Sequence, residues 1–268
     1  MRRPFRVLDP RVREDAFADR CAFAVMAKAP IPGKVKTRLT PPLTPAQAAL
    51  LNAAFLTDTL ENLGLAAAAT GAACAVSYTP AGWEHAFEGI LPVGTLLLPQ
   101  RGDGFGERLL ATAEDLFACG FAAVCLIDSD SPTVPTAEFV HAARALSSFA
   151  RDRAHPAVLG RSDDGGYYLL GVTAPHAELF ADVGWSTAEV ADQTEQRAAE
   201  IGLRLHHLRT WYDVDEAVSL ERLRQELDRP GPSSGYVAPH TRACLRELRL
   251  PGLASEDKSE VGSGHGSR

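Results

Sequence analysis

Asp128 and Asp130 stand two residues apart at the end of a short apolar run, Ala123 to Ile127. A run of that length bounded by turn residues reads as a buried strand. On a chain that stays extended beyond it, both carboxylates leave the same face and can meet one small cation. Hard divalent ions such as Mg²⁺ or Mn²⁺ take oxygen ligands, commonly one or two carboxylates with water and phosphate oxygens completing the shell. The plainer reading of Asp128-Ser129-Asp130-Ser131-Pro132 is a loop of turn formers, with Pro132 or Pro135 opening the next helix.

A second polar stretch carries the opposite charge. Lys28-Ala29-Pro30-Ile31-Pro32-Gly33-Lys34-Val35-Lys36-Thr37-Arg38-Leu39 follows a first apolar strand, Cys21 to Ala27. Two prolines stiffen this loop, Gly33 lets backbone approach a ligand, and the basic groups can cradle nucleotide phosphates. It is not a Walker A loop, because the first glycine is absent and Val35 follows Lys34 where Ser or Thr would be needed. A solvated basic loop is the competing reading. A third stretch, Gln100-Arg101-Gly102-Asp103-Gly104-Phe105-Gly106-Glu107-Arg108, opens a helix to about Cys119. Its glycine spacing does not fit the dinucleotide fingerprint Gly-x-Gly-x-x-Gly. It reads as a loop lining a nucleotide crevice, or as a plain turn.

Three further places could bear on chemistry. Arg161-Ser162-Asp163-Asp164-Gly165-Gly166 suits a hairpin turn, and equally would let Asp164 and Tyr167 sit close to a sugar or phosphate. Gly184-Trp185-Ser186-Thr187 precedes a helix ending near Gly202, with Ser186 or Thr187 as its cap. Trp211-Tyr212-Asp213-Val214-Asp215 leads into a helix from Glu216 to Leu227. Asp215 suits an ordinary N-cap there, or Asp213 or Asp215 adds an acidic group closing the metal site.

The elements that must hold these loops alternate strand and helix. Thr44-Pro45 starts a helix with Ala49, Leu50, Ala53, Leu56 and Leu60 at helical spacing. Ala72 to Tyr78, Gly94 to Leu98, Ala157 to Leu159, Tyr167 to Val172 and Leu203 to Leu208 read as strands. Thr136 to Phe149 and Pro239 to Leu250 read as helices. Open α/β sheets place ligands beyond the carboxyl ends of their strands, which is where the acidic and basic loops fall. The division expected is a polar N-terminal arm over residues 1–20, one domain over 21–228, a linker and helix over 229–252 and a disordered tail over 253–268.

The 268-residue chain is 46% hydrophobic and 23% charged, ordinary for a protein with a sizeable core. A net charge of −7 argues against a general nucleic-acid binder. Five cysteines at no metal-type spacing read as reduced packing residues. No apolar run approaches the roughly 20 residues of a membrane span, and a cytoplasmic location is expected.

Six of these stretches, in order, match one family. With Lys28-Ala29-Pro30 and Pro32 to Leu39, Gln100 with Gly102-Asp103 and Gly106-Glu107-Arg108, Asp128 to Pro132, Asp164 to Gly171, Trp185-Ser186-Thr187 and Asp213-Val214-Asp215, the chain resembles bacterial glycosyltransferase-like proteins of the nucleotide-diphospho-sugar transferase superfamily. These are relatives of small guanylyltransferases acting on phospholactate and on the molybdenum cofactor. The family usually has Gly where Asp128 stands and Leu where Phe105 stands, which makes Asp130 the stronger metal candidate.

The resemblance implies a GT-A (Rossmann-like) three-layer α/β/α fold with a mostly parallel central sheet, and a metal-dependent glycosyltransferase. Nucleotide binding is then expected at Ala27, Lys28, Gly33, Lys36, Arg38, Gln100, Asp103 and Arg108. Mg²⁺ or Mn²⁺ is expected on Asp130 and Asp128 with Asp215, and acceptor contacts at Gly165, Gly166, Tyr167 and Trp185. Lys36 would grip the diphosphate and Asp164 would act as general base. The partners implied are a nucleotide-sugar or NTP substrate and a small-molecule acceptor, with room for a homodimer. The alternative reaction is nucleotidyl transfer from an NTP to a phosphorylated small molecule with release of pyrophosphate. A catalytically silent nucleotide sensor is the reading from another class.

Overall fold

The computed structural model describes residues 5–149, 156–229 and 234–248. Eight strands form one sheet: β1 (Arg6–Val7), β2 (Cys21–Lys28), β3 (Ala73–Thr79), β4 (Leu96–Pro99), β5 (Ala123–Ile127), β6 (Pro156–Arg161), β7 (Tyr167–Val172) and β8 (Arg204–His207). Their spatial order is β1-β4-β3-β2-β5-β7-β6-β8. Neighbours are parallel except where β7 runs antiparallel to β5 and to β6.

Strand β2 shows why its sequence is a continuous apolar run. Cys21, Phe23, Val25 and Ala27 enter one core, while Ala22, Ala24 and Met26 enter the other. A strand buried on both faces has no polar side to alternate with. Helices α1 (Pro45–Thr70), α3 (Thr136–Phe149), α5 (Ala217–Asp228) and α6 (Pro239–Leu248) supply the first core; α2 (Phe105–Cys119) and α4 (Val190–Glu200) supply the second. This is the three-layer α/β/α arrangement expected. Helix α1 starts as its sequence signals: Thr44 Oγ1 accepts from the Gln47 N–H at 3.3 Å, and Gln47 Oε1 accepts from the Thr44 N–H at 2.8 Å. Gly71, at φ +76, ends it.

One boundary differs from expectation. The described part of the N-terminal arm belongs to the fold: Arg6–Val7 extends the sheet edge beside β4, and buried Phe17 stacks on Phe121 with ring centroids 4.2 Å apart. Apolar Leu8, Phe17 and their partners outweigh the arginines that made the segment look like an arm. At the other end, the expected last helix is present as α6, which docks on α1; residues 230–233, within the expected linker, lie outside the described residues. Residues 249–268, which contain the expected tail, lie outside the described residues. All five cysteines are free thiols. Among the described residues, no helix is long and apolar enough to cross a membrane.

Asp58 on α1 explains the docking. It is 0% exposed, and its Oδ1 and Oδ2 accept from the backbone N–H groups of His240 (3.1 Å) and Thr241 (2.6 Å), the first turn of α6. Asp58, Glu61 and His240 are grouped closely enough to hold an ion. Both Asp58 oxygens, however, are already engaged in this helix cap, and His240 Nε2 lies 3.1 Å from Glu61 Oε1. Asp58→Ala removes two charge-assisted bonds, one to the buried Thr241 N–H and one to the part-buried His240 N–H, and a loss of about 2–4 kcal/mol is expected. Urea denaturation measures it; a midpoint unchanged from the parent would show that α6 is held by its apolar contacts alone.

Candidate nucleotide and metal site

Strands β2 and β5 are parallel neighbours, yet the chain leaves β2 toward β3 on one side and returns to β5 on the other. At such a switch point the loops after both strands open the same crevice. The basic loop after β2 and the acidic turn after β5 therefore meet. Lys36, its backbone left-handed at φ 48, buries its side chain to 3% exposure. Its Nζ lies 2.6 Å from Asp130 Oδ1 and 2.9 Å from Asp215 Oδ1, and donates to the Val214 carbonyl at 2.8 Å. The Val214 N–H donates back to the Asp130 carbonyl at 2.9 Å. Three segments distant in sequence are thus tied at one ammonium.

The surrounding carboxylates are not balanced by it. Burial raises Asp128 well above the usual carboxyl range, and neighbouring Asp130 adds to the rise although Ser131 Oγ donates to Asp128 Oδ2 at 2.8 Å. Asp213 is pushed up to about 7, by burial first and then by Asp164 and Asp215. Burial would also raise Asp215, but Lys36 and the Arg38 guanidinium, 3.8 Å from its Oδ2, override that and lower it. Asp128, Asp130, Asp213 and Asp215 gather hard oxygen donors of the kind Mg²⁺ or Mn²⁺ takes, though as they stand no three of them bring ligand atoms within 4.8 Å of one another.

The crevice has a volume of about 450 Å³. Of the residues expected at the nucleotide, Ala27, Lys28, Lys36, Arg38, Gln100 and Arg108 line it, as do Asp128, Asp130 and Asp215. Gly33 and Asp103 do not. Gly33 shapes the loop instead, taking φ +76 in its turn. Asp103 belongs to the cap of α2: Glu107 Oε2 accepts from the Asp103 N–H (2.8 Å) and the Gly104 N–H (3.2 Å), and Arg108 Nη1 donates to the Asp103 carbonyl (3.0 Å). Lys34, Asn52 and Phe105 also line the crevice. Asn52, 6% exposed on α1, was detectable only as an amide within an otherwise apolar helical stripe.

A second cavity of about 300 Å³ adjoins the first and shares Arg38, Phe105, Asp128 and Asp215 with it. Asp164, Gly166, Tyr167 and Trp185 line it. Gly165 does not: at φ +93 it lies against the loop before α4, where a Cβ would come within 2.0 Å of the Ala188 carbonyl oxygen. The hairpin and site readings of this turn coexist. It joins antiparallel β6 and β7, and the Gly166 N–H donates to Asp164 Oδ1 at 2.8 Å, fixing a carboxylate on the cavity wall.

Two expected helix caps are not caps. Helix α4 begins at Val190, three residues after Thr187, whose hydroxyl donates to the Gly184 carbonyl at 2.7 Å, and Ser186 takes φ 68. Helix α5 begins at Ala217, and the Ser219 hydroxyl accepts from the backbone N–H groups of Asp215 (3.1 Å) and Glu216 (3.2 Å). With that turn closed by Ser219, the Asp215 carboxylate faces Lys36.

A family described as uncharacterized proteins conserved in bacteria, DUF2064, matches residues 60–187. No curated protein matches the chain. Among solved structures, a candidate nucleotide-diphospho-sugar transferase from Desulfovibrio desulfuricans G20 is 30% identical, covering 85% of this chain and 94% of that one with a TM-score of 0.71. A cytidylyltransferase from Leptospira borgpetersenii serovar Hardjo-bovis has a TM-score of 0.50 at 10% identity over 88% of this chain and 98% of that one, a likeness of fold. With nearly the whole Desulfovibrio protein matched at that identity, the chain belongs to the nucleotide-diphospho-sugar transferase superfamily.

Proposed function

We propose that this transferase moves a glycosyl group from a nucleotide-diphosphate donor to an acceptor hydroxyl, with Mg²⁺ or Mn²⁺ at the diphosphate. The observation that carries the reading is the 2.6 Å contact between Lys36 and Asp130, which makes the basic and acidic turns two walls of one crevice. The base lies against the backbone of Ala27 and Lys28 and near Gln100. Lys28, Lys34, Arg38 and Arg108 line the same crevice and offer cations to the diphosphate. Asp130, Asp128 and Asp215 would hold the divalent ion, which would supply Lewis-acid stabilisation to the departing phosphate. Lys36 fixes the spacing of two of those carboxylates rather than reaching for phosphate itself.

In the transfer, Asp164 takes the proton of the acceptor hydroxyl. The acceptor oxygen bonds to the anomeric carbon as the bond from that carbon to the β-phosphate oxygen breaks, and the electron pair leaves with the nucleoside diphosphate. Negative charge grows on that phosphate during the step, so Arg38 and its neighbours favour the transition state over the bound donor.

The test is a thermal-shift screen of nucleotides and nucleotide-sugars with and without Mn²⁺, followed by product analysis. A matching donor at about a hundred times its dissociation constant stabilises by about 2.7 kcal/mol, a rise on the order of 5 °C or more for a chain of this size. Release of nucleoside diphosphate from that donor is the expected product. Pyrophosphate released from an NTP would assign nucleotidyl transfer to the crevice instead, and no shift with any base would remove both.

A further inference from the structure

Resting on the transferase reading, one amide on α1 bears on how the donor's base is told from others. The chain's two asparagines, Asn52 and Asn62, are both buried on that helix. Asn62 is engaged at both ends: its Nδ2 donates to the Val134 carbonyl at 2.7 Å, and its Oδ1 accepts from the Thr136 hydroxyl at 2.5 Å. Asn52 is 6% exposed among Ala48, Leu51, Phe55 and Leu56, and its side-chain amide has no hydrogen-bond partner among the described residues. A buried amide left unpaired is costly, and a leucine would pack in that stripe without the cost. Unlike the Tyr167 hydroxyl, which is sealed as well as unpaired, the Asn52 side chain opens on the crevice.

The neighbours of Asn52 divide the crevice. Helix α1 packs on β2 and β3, Thr79 ends β3, and Gln100 follows β4; all three side chains line the crevice. The Gln100 backbone N–H donates to the Tyr78 carbonyl at 2.8 Å and its Nε2 to the Ser77 carbonyl at 2.7 Å, which leaves Oε1 as an unspent acceptor. Asp128 and Asp130 follow β5, on the other side of β2. Neutral hydrogen-bonding groups therefore gather toward β3, while the carboxylates for the ion lie toward β5. Lys28, Lys34, Arg38 and Arg108 already offer charge to a diphosphate. An amide adds a donor and an acceptor side by side, which match a ring edge carrying an acceptor next to a donor.

We propose that Asn52 is the residue that selects the donor's nucleobase, its amide pairing with the edge of the base on the β3 side of the crevice. The bound base then supplies the hydrogen bonds that the free protein leaves unmade at this position. A base whose edge presents the wrong order of donor and acceptor leaves the amide unpaired and is rejected on that account.

Calorimetry on the full chain with Mn²⁺ tests this, using UDP, GDP, CDP, ADP, dTDP and inorganic pyrophosphate as probes. The parent is expected to bind one of the five nucleotides at least about tenfold more tightly than the weakest. Asn52→Leu keeps the volume and removes the amide, so it is expected to weaken that nucleotide about ten- to a hundredfold and to bring the five within about threefold of one another. Pyrophosphate, which has no base, is expected to bind parent and variant alike. The nucleotide-free variant is expected to melt no lower than the parent, because an unpaired buried amide has been exchanged for an apolar side chain. If Asn52→Leu does not fold, Asn52→Ser carries the same titrations. A variant that keeps the parent's preference overturns the proposal. So does one that loses all five nucleotides and pyrophosphate equally, since that would make Asn52 a structural residue. Nucleotide binding by the parent with either of those outcomes removes Asn52 alone, whereas a parent that binds none of the five removes the transferase reading together with it.

Discussion

Asp130→Asn is expected to lower kcat/KM for the nucleotide-sugar donor by about a hundred- to a thousandfold, with the fold retained. Asp130 lies in the acidic turn that faces the basic loop, and its Oδ1 receives the Lys36 ammonium at 2.6 Å. The neutral amide keeps the shape and one oxygen but removes the charge with which a divalent ion would be held. Losing one preorganised electrostatic contact at a developing charge costs turnover on the order of two to three powers of ten. Two measurements check it. Initial rates give the loss directly, and Mn²⁺ titrated by electron paramagnetic resonance gives a weakened ion. The effect on stability is smaller, because Asp215 still accepts from Lys36 at 2.9 Å and the Val214 N–H still donates to the Asp130 backbone carbonyl. Undiminished rates in Asp130→Asn, at the metal concentration that saturates the parent, would remove Asp130 from the chemistry.

What the sequence made legible follows the range of the interactions. Strands β2 and β5 and the start of α1 are written locally, as apolar runs and as Thr44-Pro45 with Gln47, and the structure places them as read. Strand β1 is two residues long and owes its existence to pairing with β4, so no local pattern announces it. Asp215 illustrates the same limit at the site. An aspartate just before a helix is a strong local cap signal, yet Ser219 closes that turn and the carboxylate goes to Lys36, a partner visible only after folding. Gly33 and Asp103 were attractive because loops rich in glycine and charge bind phosphates, but one serves backbone torsion and the other the cap of α2. The second cavity was legible only in pieces, as Asp164, Tyr167 and Trp185. Met26, Leu109 and Leu126 also line it, and in sequence they are ordinary strand and helix residues.

Lys36→Met should have the largest effect on the folded state, a loss of about 3–5 kcal/mol of unfolding free energy near neutral pH. Methionine fills much of the same channel beside Phe55, over whose ring Lys36 Nζ stands at 5.2 Å, so packing is nearly kept. What disappears is the charge that contacts both Asp130 and Asp215, leaving Asp130 without that partner and Asp215 with Arg38 at 3.8 Å, beside Asp128 and Asp213. The pH dependence has a definite sign. Burial acts to lower Lys36, but the two carboxylates together outweigh it and raise its pKa above the ordinary lysine value. A raised folded-state pKa on a base gives stability that is complete below the unfolded value of about 10.4 and is lost as pH climbs through the folded value. Asp215, lowered by the same contact, gives stability that is present above about 3.9 and is lost as pH falls through its folded value. The gap in stability between parent and Lys36→Met should therefore be present near neutral pH and close toward acid, beginning where the variant's uncompensated, buried carboxylates take up protons, above the usual carboxyl range. Millimolar Mn²⁺ should narrow it further, because a divalent cation can neutralise the carboxylates the ammonium leaves behind. Urea denaturation across that pH range, with and without Mn²⁺, measures all three. A variant as stable as the parent at neutral pH would mean that Lys36 is not what holds the acidic and basic turns together.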